Sequence, residues 1–242
     1  MTVKLEQVKE PVLLEHSKKS MFNKKGYVVK KGFFSKDTME LVMKYYETSI
    51  LNGQIDTDAP REQGGQCPGT FKEYGGLMGD SILDKTLIQA EKIFGEELSP
   101  CYSYFRLYNR NDCLEPHTDR PSCELSATLN IYSDTPWPIF MQKYDFEKNG
   151  FGDEDKLRAS QEDESDSIIL NQGDICFYEG TLLNHWRKPF DGDNCYQLFI
   201  HYVRKNGEYK DNKFDGREQL GAPPSNLGGD PYYKVHNDFF DY

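Results

Sequence analysis

The sequence has no run that approaches the roughly 20 apolar residues of a membrane span. None of its six cysteines stands in a C-x-x-C pair, so a zinc ribbon or a thioredoxin-type site has no support. Positive charge is also short. There are 29 basic residues against 40 acidic ones, a net charge of −11, which argues against a main task of holding a nucleic-acid backbone or an anionic membrane. Met1–Glu10 lacks the apolar stretch of a signal peptide, so the reading is a cytoplasmic protein with reduced thiols. Histidine is scarce, with five in 242 residues. Aromatic residues are plentiful: 16 Tyr and 15 Phe supply the bulk for a buried core in one sizeable domain.

The charge is unevenly placed. The first 31 residues sum to +5, with eight Lys against three Glu, which reads as a solvated segment. Gly26–Phe34 reads as a short strand. Ser35 or Asp37 then caps a helix through about Ile50, and Ser81–Leu98 reads as a second helix. Between them, Glu62–Asp80 holds six glycines and a proline, which predicts an irregular loop or a lid. After Pro100 the texture turns to strands: Cys101–Tyr108, Glu115–Asp119, Glu124–Tyr132, Pro138–Gln142, Ser167–Leu170, Asp174–Tyr178 and Tyr196–Val203. The expected fold is mainly β with flanking helices, a jelly roll in which residues 1–100 support a core at 101–204 and 205–242 form an arm. An acidic insertion follows Asp145, and the arm ends in aromatic residues.

Leu114-Glu-Pro-His-Thr-Asp-Arg-Pro carries the first chemical signal. In a strand His117 and Asp119 point to the same face, so one imidazole and one carboxylate can grip a single metal ion. A surface ion pair beside a turn is the plain alternative. After 65 residues that follow Asp119, beyond a Gly-Asp turn and an apolar strand, comes His185, the candidate third ligand. Two imidazoles and one carboxylate leave positions open on the metal, as in the facial triad of non-haem Fe(II) oxygenases.

With these pieces the sequence resembles the 2-oxoglutarate/Fe(II)-dependent oxygenases, nearest the prolyl-hydroxylase-like branch. The resemblance covers roughly Cys101–Val203 and rests on Tyr108, His117-Thr-Asp119, the strand ending in Tyr132, Gly173-Asp174, His185 and the last strand. It implies a double-stranded β-helix with iron held by His117, Asp119 and His185. It also implies hydroxylation of a substrate coupled to conversion of 2-oxoglutarate and O2 into succinate and CO2. Ascorbate is a compatible accessory reductant. The substrate expected is a small molecule or a peptide, with neither nucleic acid nor membrane as partner.

A dicarboxylate cosubstrate needs a buried cation. In the resembled family a basic residue sits about ten positions after the distal His, where this chain has Cys195. Arg187, two residues beyond His185, is the favoured substitute and Arg106 the next. Arg120 follows Asp119 and points away by alternation. Tyr108 matches a pocket tyrosine of the family. Thr128, Asn130 and Tyr132 alternate on one strand, as do Cys195, Gln197, Phe199 and His201 on another, so both sets are expected to line the cavity. His201 reads as a group behind the metal or touching substrate, because a fourth ligand would crowd out O2. His16 and His236 receive no role. Two other readings share these residues: a jelly roll that binds metal or ligand without catalysis, and a zinc hydrolase.

Overall fold

The computed structural model of the protein describes residues 25–63, 65, 67–144 and 165–223. The Lys-rich start, His16, His236, most of the acidic insertion and the arm beyond residue 223 lie outside these residues. In chain order the elements are β1 (Tyr27–Lys30), α1 (Lys36–Leu51), β2 (Asp56–Thr57), β3 (Phe71–Tyr74), α2 (Leu77–Phe94), β4 (Leu98–Tyr108) and β5 (Leu114–His117). They continue with β6 (Leu125–Ser133), β7 (Ile139–Gln142), β8 (Ser165–Ile168), β9 (Ile175–Glu179), β10 (His185–Arg187) and β11 (Cys195–Arg204).

The strands form two antiparallel sheets, one of seven in the order β1-β9-β6-β11-β4-β3-β2 and one of four in the order β5-β10-β7-β8. β11 lies at the centre of the larger sheet, paired along its length with β4 and along most of it with β6. Alternation along β11 sorts its side chains. Tyr196, Leu198, Ile200 and Tyr202 join the main core with Leu125, Ala127, Leu129 and Ile131 of β6 and Phe105 and Leu107 of β4. Against that face pack Met39, Val42 and Tyr46 of α1 and Ile82, Leu83, Ala90 and Phe94 of α2, with Tyr46 stacked 3.6 Å from Phe105. The other face, carrying Cys195, Gln197, Phe199 and His201, is turned toward the smaller sheet. A second cluster of Ile139, Met141, Cys176, Tyr178 and Leu183 ties β7 to β9.

Local chemistry sets the element ends. Ser35 caps α1, its Oγ accepting the Thr38 N–H at 3.2 Å. Gly95 closes α2 at φ 77°, a left-handed position that suits glycine. The second helix therefore spans Leu77–Phe94 rather than Ser81–Leu98, because Leu98 is already in β4. The glycine-rich stretch Glu62–Asp80, expected to be irregular throughout, contains β3 and the first turn of α2; its glycines flank Phe71–Tyr74, which pairs with β4. At Gly173 (φ 82°) the turn before β9 exchanges backbone hydrogen bonds with Phe34 and Asn130.

Arg204, at the end of β11, gathers three carboxylates: Glu96 at 3.1 Å, Glu124 at 2.8 Å and Glu179 at 2.6 Å. Glu179 is buried, and its Oε2 has no hydrogen-bond partner. Burial outweighs Arg204 and lifts the Glu179 pKa from 4.5 to about 7. Between those values the unfolded chain releases a proton that the folded protein keeps, so this group's contribution to stability fades as pH rises through the window. Glu179→Gln should therefore gain stability relative to wild type, by on the order of 3 kcal/mol, between pH 4.5 and pH 7.5. Urea unfolding of both proteins at the two pH values checks this; a constant difference would mean that Glu179 is ionised throughout.

Candidate active site

The two sheets bring together the three residues singled out by their spacing. His117 ends β5 and His185 opens β10, directly opposite each other in the antiparallel pairing, with ring centroids 4.3 Å apart. Asp119 lies just past β5, its N–H donating to the Gly180 carbonyl at 2.8 Å. Its Oδ1 stands 3.5 Å from His117 Nε2 and 3.6 Å from His185 Nε2. Each imidazole spends its other nitrogen on the backbone: His117 Nδ1 bonds the Glu115 carbonyl at 2.7 Å and His185 Nδ1 the Leu183 carbonyl at 2.9 Å. A carbonyl only accepts, so Nδ1 carries the proton in both rings and the bare Nε2 atoms turn toward Asp119. This is the tautomer and aim that metal ligation requires.

The electrostatics agree. Burial and the neighbouring His117 push the His185 pKa down to about 4, so that ring is neutral at pH 7. Burial favours a neutral Asp119, but His185 and His117 hold its carboxyl well below the usual carboxylate range. Burial works against the His117 cation, yet Asp119 would bond and pair with that cation's Nε2–H, which raises its pKa. One carboxylate and two imidazoles within 4.8 Å of one another form a donor set that fits a divalent first-row metal. All six cysteines are free, and none belongs to this set.

Beside the candidate metal site is a buried cation. Arg187 follows His185 by two residues on β10 and is 2% exposed. Its Nη1 donates to the Trp137 carbonyl at 2.6 Å, its Nη2 makes a long 3.4 Å contact with Gln197 Oε1, and the guanidinium lies 4.7 Å over the Trp137 ring. Nε has no partner, and among the described residues no carboxylate pairs with the group. Burial lowers its pKa. Tyr108 is buried in the same cluster as Trp137 and Cys195, and Cys195 pairs with it across β4 and β11. The polar wall runs from Gln197, which accepts from Thr128 Oγ1 at 3.1 Å and donates to Asn130 Oδ1 at 3.2 Å.

Arg106, the second arginine singled out, faces the same side but has its charge engaged: Nη1 binds Asp58 at 2.8 Å and Nη2 the Tyr104 hydroxyl at 2.7 Å. Arg120 turns away from the metal residues onto Asp215, as alternation predicts. Tyr132 corrects the sequence reading. The β6–β11 register slips by one residue between Gln197 and Tyr196, so Tyr132 pairs with Tyr196 and packs on the helix side, not in the cavity. A bulge reverses the facing of every residue beyond it, and Ser133, opposite Cys195, takes the inward place. Ser126, Gly180 and Trp137 were not singled out, although Ser126 is in phase with Thr128 and Asn130.

No family model matches the sequence, and no curated protein matches it. Solved structures do. The non-haem alpha ketoglutarate dependent epimerase SnoN from nogalamycin biosynthesis aligns with TM-score 0.58 and 13% identity over 86% of this chain and 93% of its own. HygX from Streptomyces hygroscopicus, with nickel and 2-oxoglutarate bound, gives 0.58 and 13% over 86% and 92%. A prolyl-4-hydroxylase from Pseudomonas putida gives 0.54 and 13% over 76% and 95%. The protein thus has the double-stranded β-helix fold of the 2-oxoglutarate/Fe-dependent oxygenases, the architecture its resemblance implied. No described helix is long and apolar enough to cross a membrane.

Gly180 marks how tightly the centre is packed: a Cβ there would meet the Cys123 carbonyl, Asp119 Oδ2 and Ser126 Oγ. Gly180→Ala should cost about 1–3 kcal/mol of stability and weaken Co(II) binding by displacing Asp119. Thermal unfolding and a Co(II) titration test this; an unchanged titration would show that the centre yields without moving its carboxylate.

Proposed function

We propose that the protein is an Fe(II)- and 2-oxoglutarate-dependent oxygenase that hydroxylates a small molecule or a peptide residue. The observation that carries this reading is Arg187, a buried guanidinium without an anionic partner among the described residues, on the same strand as His185. A buried cation is costly unless an anion meets it. A zinc hydrolase or an inert metal site has no use for such a group, whereas a dicarboxylate cosubstrate supplies the missing charge.

His117, Asp119 and His185 would hold the iron, which, when bound, supplies oxidative decarboxylation of 2-oxoglutarate to succinate and CO2 coupled to substrate oxidation. Arg187 binds the distal carboxylate through its free Nε and adjacent Nη. Tyr108, whose hydroxyl forms no hydrogen bond among the described residues, donates to the same carboxylate. Thr128, Asn130 and Gln197 fix Arg187 from behind. Trp137 covers the guanidinium and excludes water, which strengthens the ion pair. Arg106, neutralised by Asp58, borders the cavity as a substrate-side group. Asp119 keeps the carboxylate position filled, which favours hydroxylation over halogenation.

The test is succinate formation from 2-oxoglutarate with Fe(II) and O2, which His117→Ala should abolish. Arg187→Ala should weaken 2-oxoglutarate binding by about 1.5–3 kcal/mol, with Arg187→Lys restoring only part because a point charge lacks the fork. Isothermal titration with Co(II)-loaded protein reads both. Unchanged affinity in Arg187→Ala would move the anchor to Arg106, and metal binding without any 2-oxoglutarate binding would remove the oxygenase reading.

A further inference from the structure

Behind the metal centre lies a chain of three side chains from three places in the fold. Asp119 offers Oδ1 to the two imidazoles, and its Oδ2 meets Ser126 Oγ at 2.8 Å. Ser126, on β6, also lies 2.8 Å from His201 Nδ1, on β11, and 3.0 Å from the Cys123 carbonyl. Ser126 and His201 are both buried. Ser126 has one proton, and two of its three neighbours, a carboxylate and a carbonyl, can only accept. The hydroxyl therefore gives its one proton to this accepting side, to Asp119 Oδ2 at the shorter distance, and the bond from His201 must run the other way, with Nδ1–H donating to Ser126 Oγ. This fixes the His201 tautomer. Burial brings its pKa to about 4, so the ring is neutral. Asp119, Cys123 and His201 also come close enough to resemble a metal-ligand set, but Cys123 Sγ is engaged by the Tyr102 hydroxyl and His201 Nδ1 by Ser126, which leaves only His201 Nε2 uncommitted.

We propose that Ser126 and His201 are positioning residues for Asp119. The directed chain His201 Nδ1–H to Ser126 Oγ–H to Asp119 Oδ2 occupies one carboxylate oxygen and leaves the other as a single metal donor. A carboxylate with both oxygens free can chelate, which takes up a coordination position that a bidentate cosubstrate and O2 need. The chain keeps Asp119 monodentate and aimed at the bare Nε2 atoms. His201 acts through Ser126 and is not a ligand. This inference rests on the metal site proposed above.

The experiment is Co(II) titration of the metal-free protein, followed by 2-oxoglutarate titration of the Co(II) form, with circular dichroism to confirm folding. Ser126→Ala should lower Co(II) affinity by about 10–100-fold and weaken 2-oxoglutarate binding. His201→Leu should do the same. His201→Asn, whose amide N–H can replace the Nδ1–H donor, should restore most of the loss. The double variant Ser126→Ala/His201→Leu should bind no worse than Ser126→Ala alone, since both act through one hydrogen bond. Full Co(II) and 2-oxoglutarate affinity in Ser126→Ala would overturn the proposal, and so would additive losses in the double variant. Wild-type protein that binds no Co(II) would instead remove the metal site itself, and this inference with it.

Discussion

The pairing of β11 with β4 on one side and β6 on the other is the constraint on which the site depends. Because side chains alternate along a strand, one register decides at once which residues of three strands meet the helices and which meet the smaller sheet. Leu198, Ile200 and Tyr202 secure that register by burying apolar surface against α1 and α2. Gln197 and His201 are thereby committed to the inner face, where they brace Arg187 and Asp119. The core and the chemistry are two faces of one hydrogen-bond ladder, so a one-residue slip would lose both.

The inner face solves an electrostatic problem. It holds two carboxylates, three imidazoles and two arginines between two sheets, where charge is expensive. Asp58 neutralises Arg106, and Ser126 donates to Asp119 Oδ2. Among the described residues no carboxylate meets Arg187, which is supported by a carbonyl, an amide and an indole face, groups that orient a cation without neutralising it. Buried ions elsewhere among the described residues are paired, as Asp80 of α2 is with Arg217 at 2.7 Å. On the function proposed above, the Arg187 exception would give the site its selectivity for an anion.

Much of this was legible in the sequence because it follows from period two. The alternation of Gln197 and His201 needs only a strand, and the placement of Asp119 beside His117 and the outward turn of Arg120 keep that alternation although β5 ends at His117, short of the expected Glu115–Asp119. The distant partner His185 was found from its context after a Gly-Asp turn. What the sequence concealed came from departures from regular pairing. Nothing in Leu-Asn-Ile-Tyr announces a bulge, so Tyr132 was placed on the wrong face. The three-residue β10 is too short for any periodic signal, and the contact of Arg187 with the Trp137 carbonyl depends on a loop closing across 50 residues. The glycines of Glu62–Asp80 hid a four-residue strand, because strand formation there depends on the free edge of β4 more than on local propensity.

The placement of His185 and Arg187 on one strand has a geometric consequence. Where a metal ligand and an anion anchor sit on different strands, their separation depends on inter-strand register and on how the sheets lie against each other. Here it is set by two residues of extended backbone, about 6.6–6.8 Å of rise. On the function proposed above, the strand would act as a fixed ruler between the two ends of the molecule that bridges them, so it would discriminate by chain length independently of how the two sheets lie against each other.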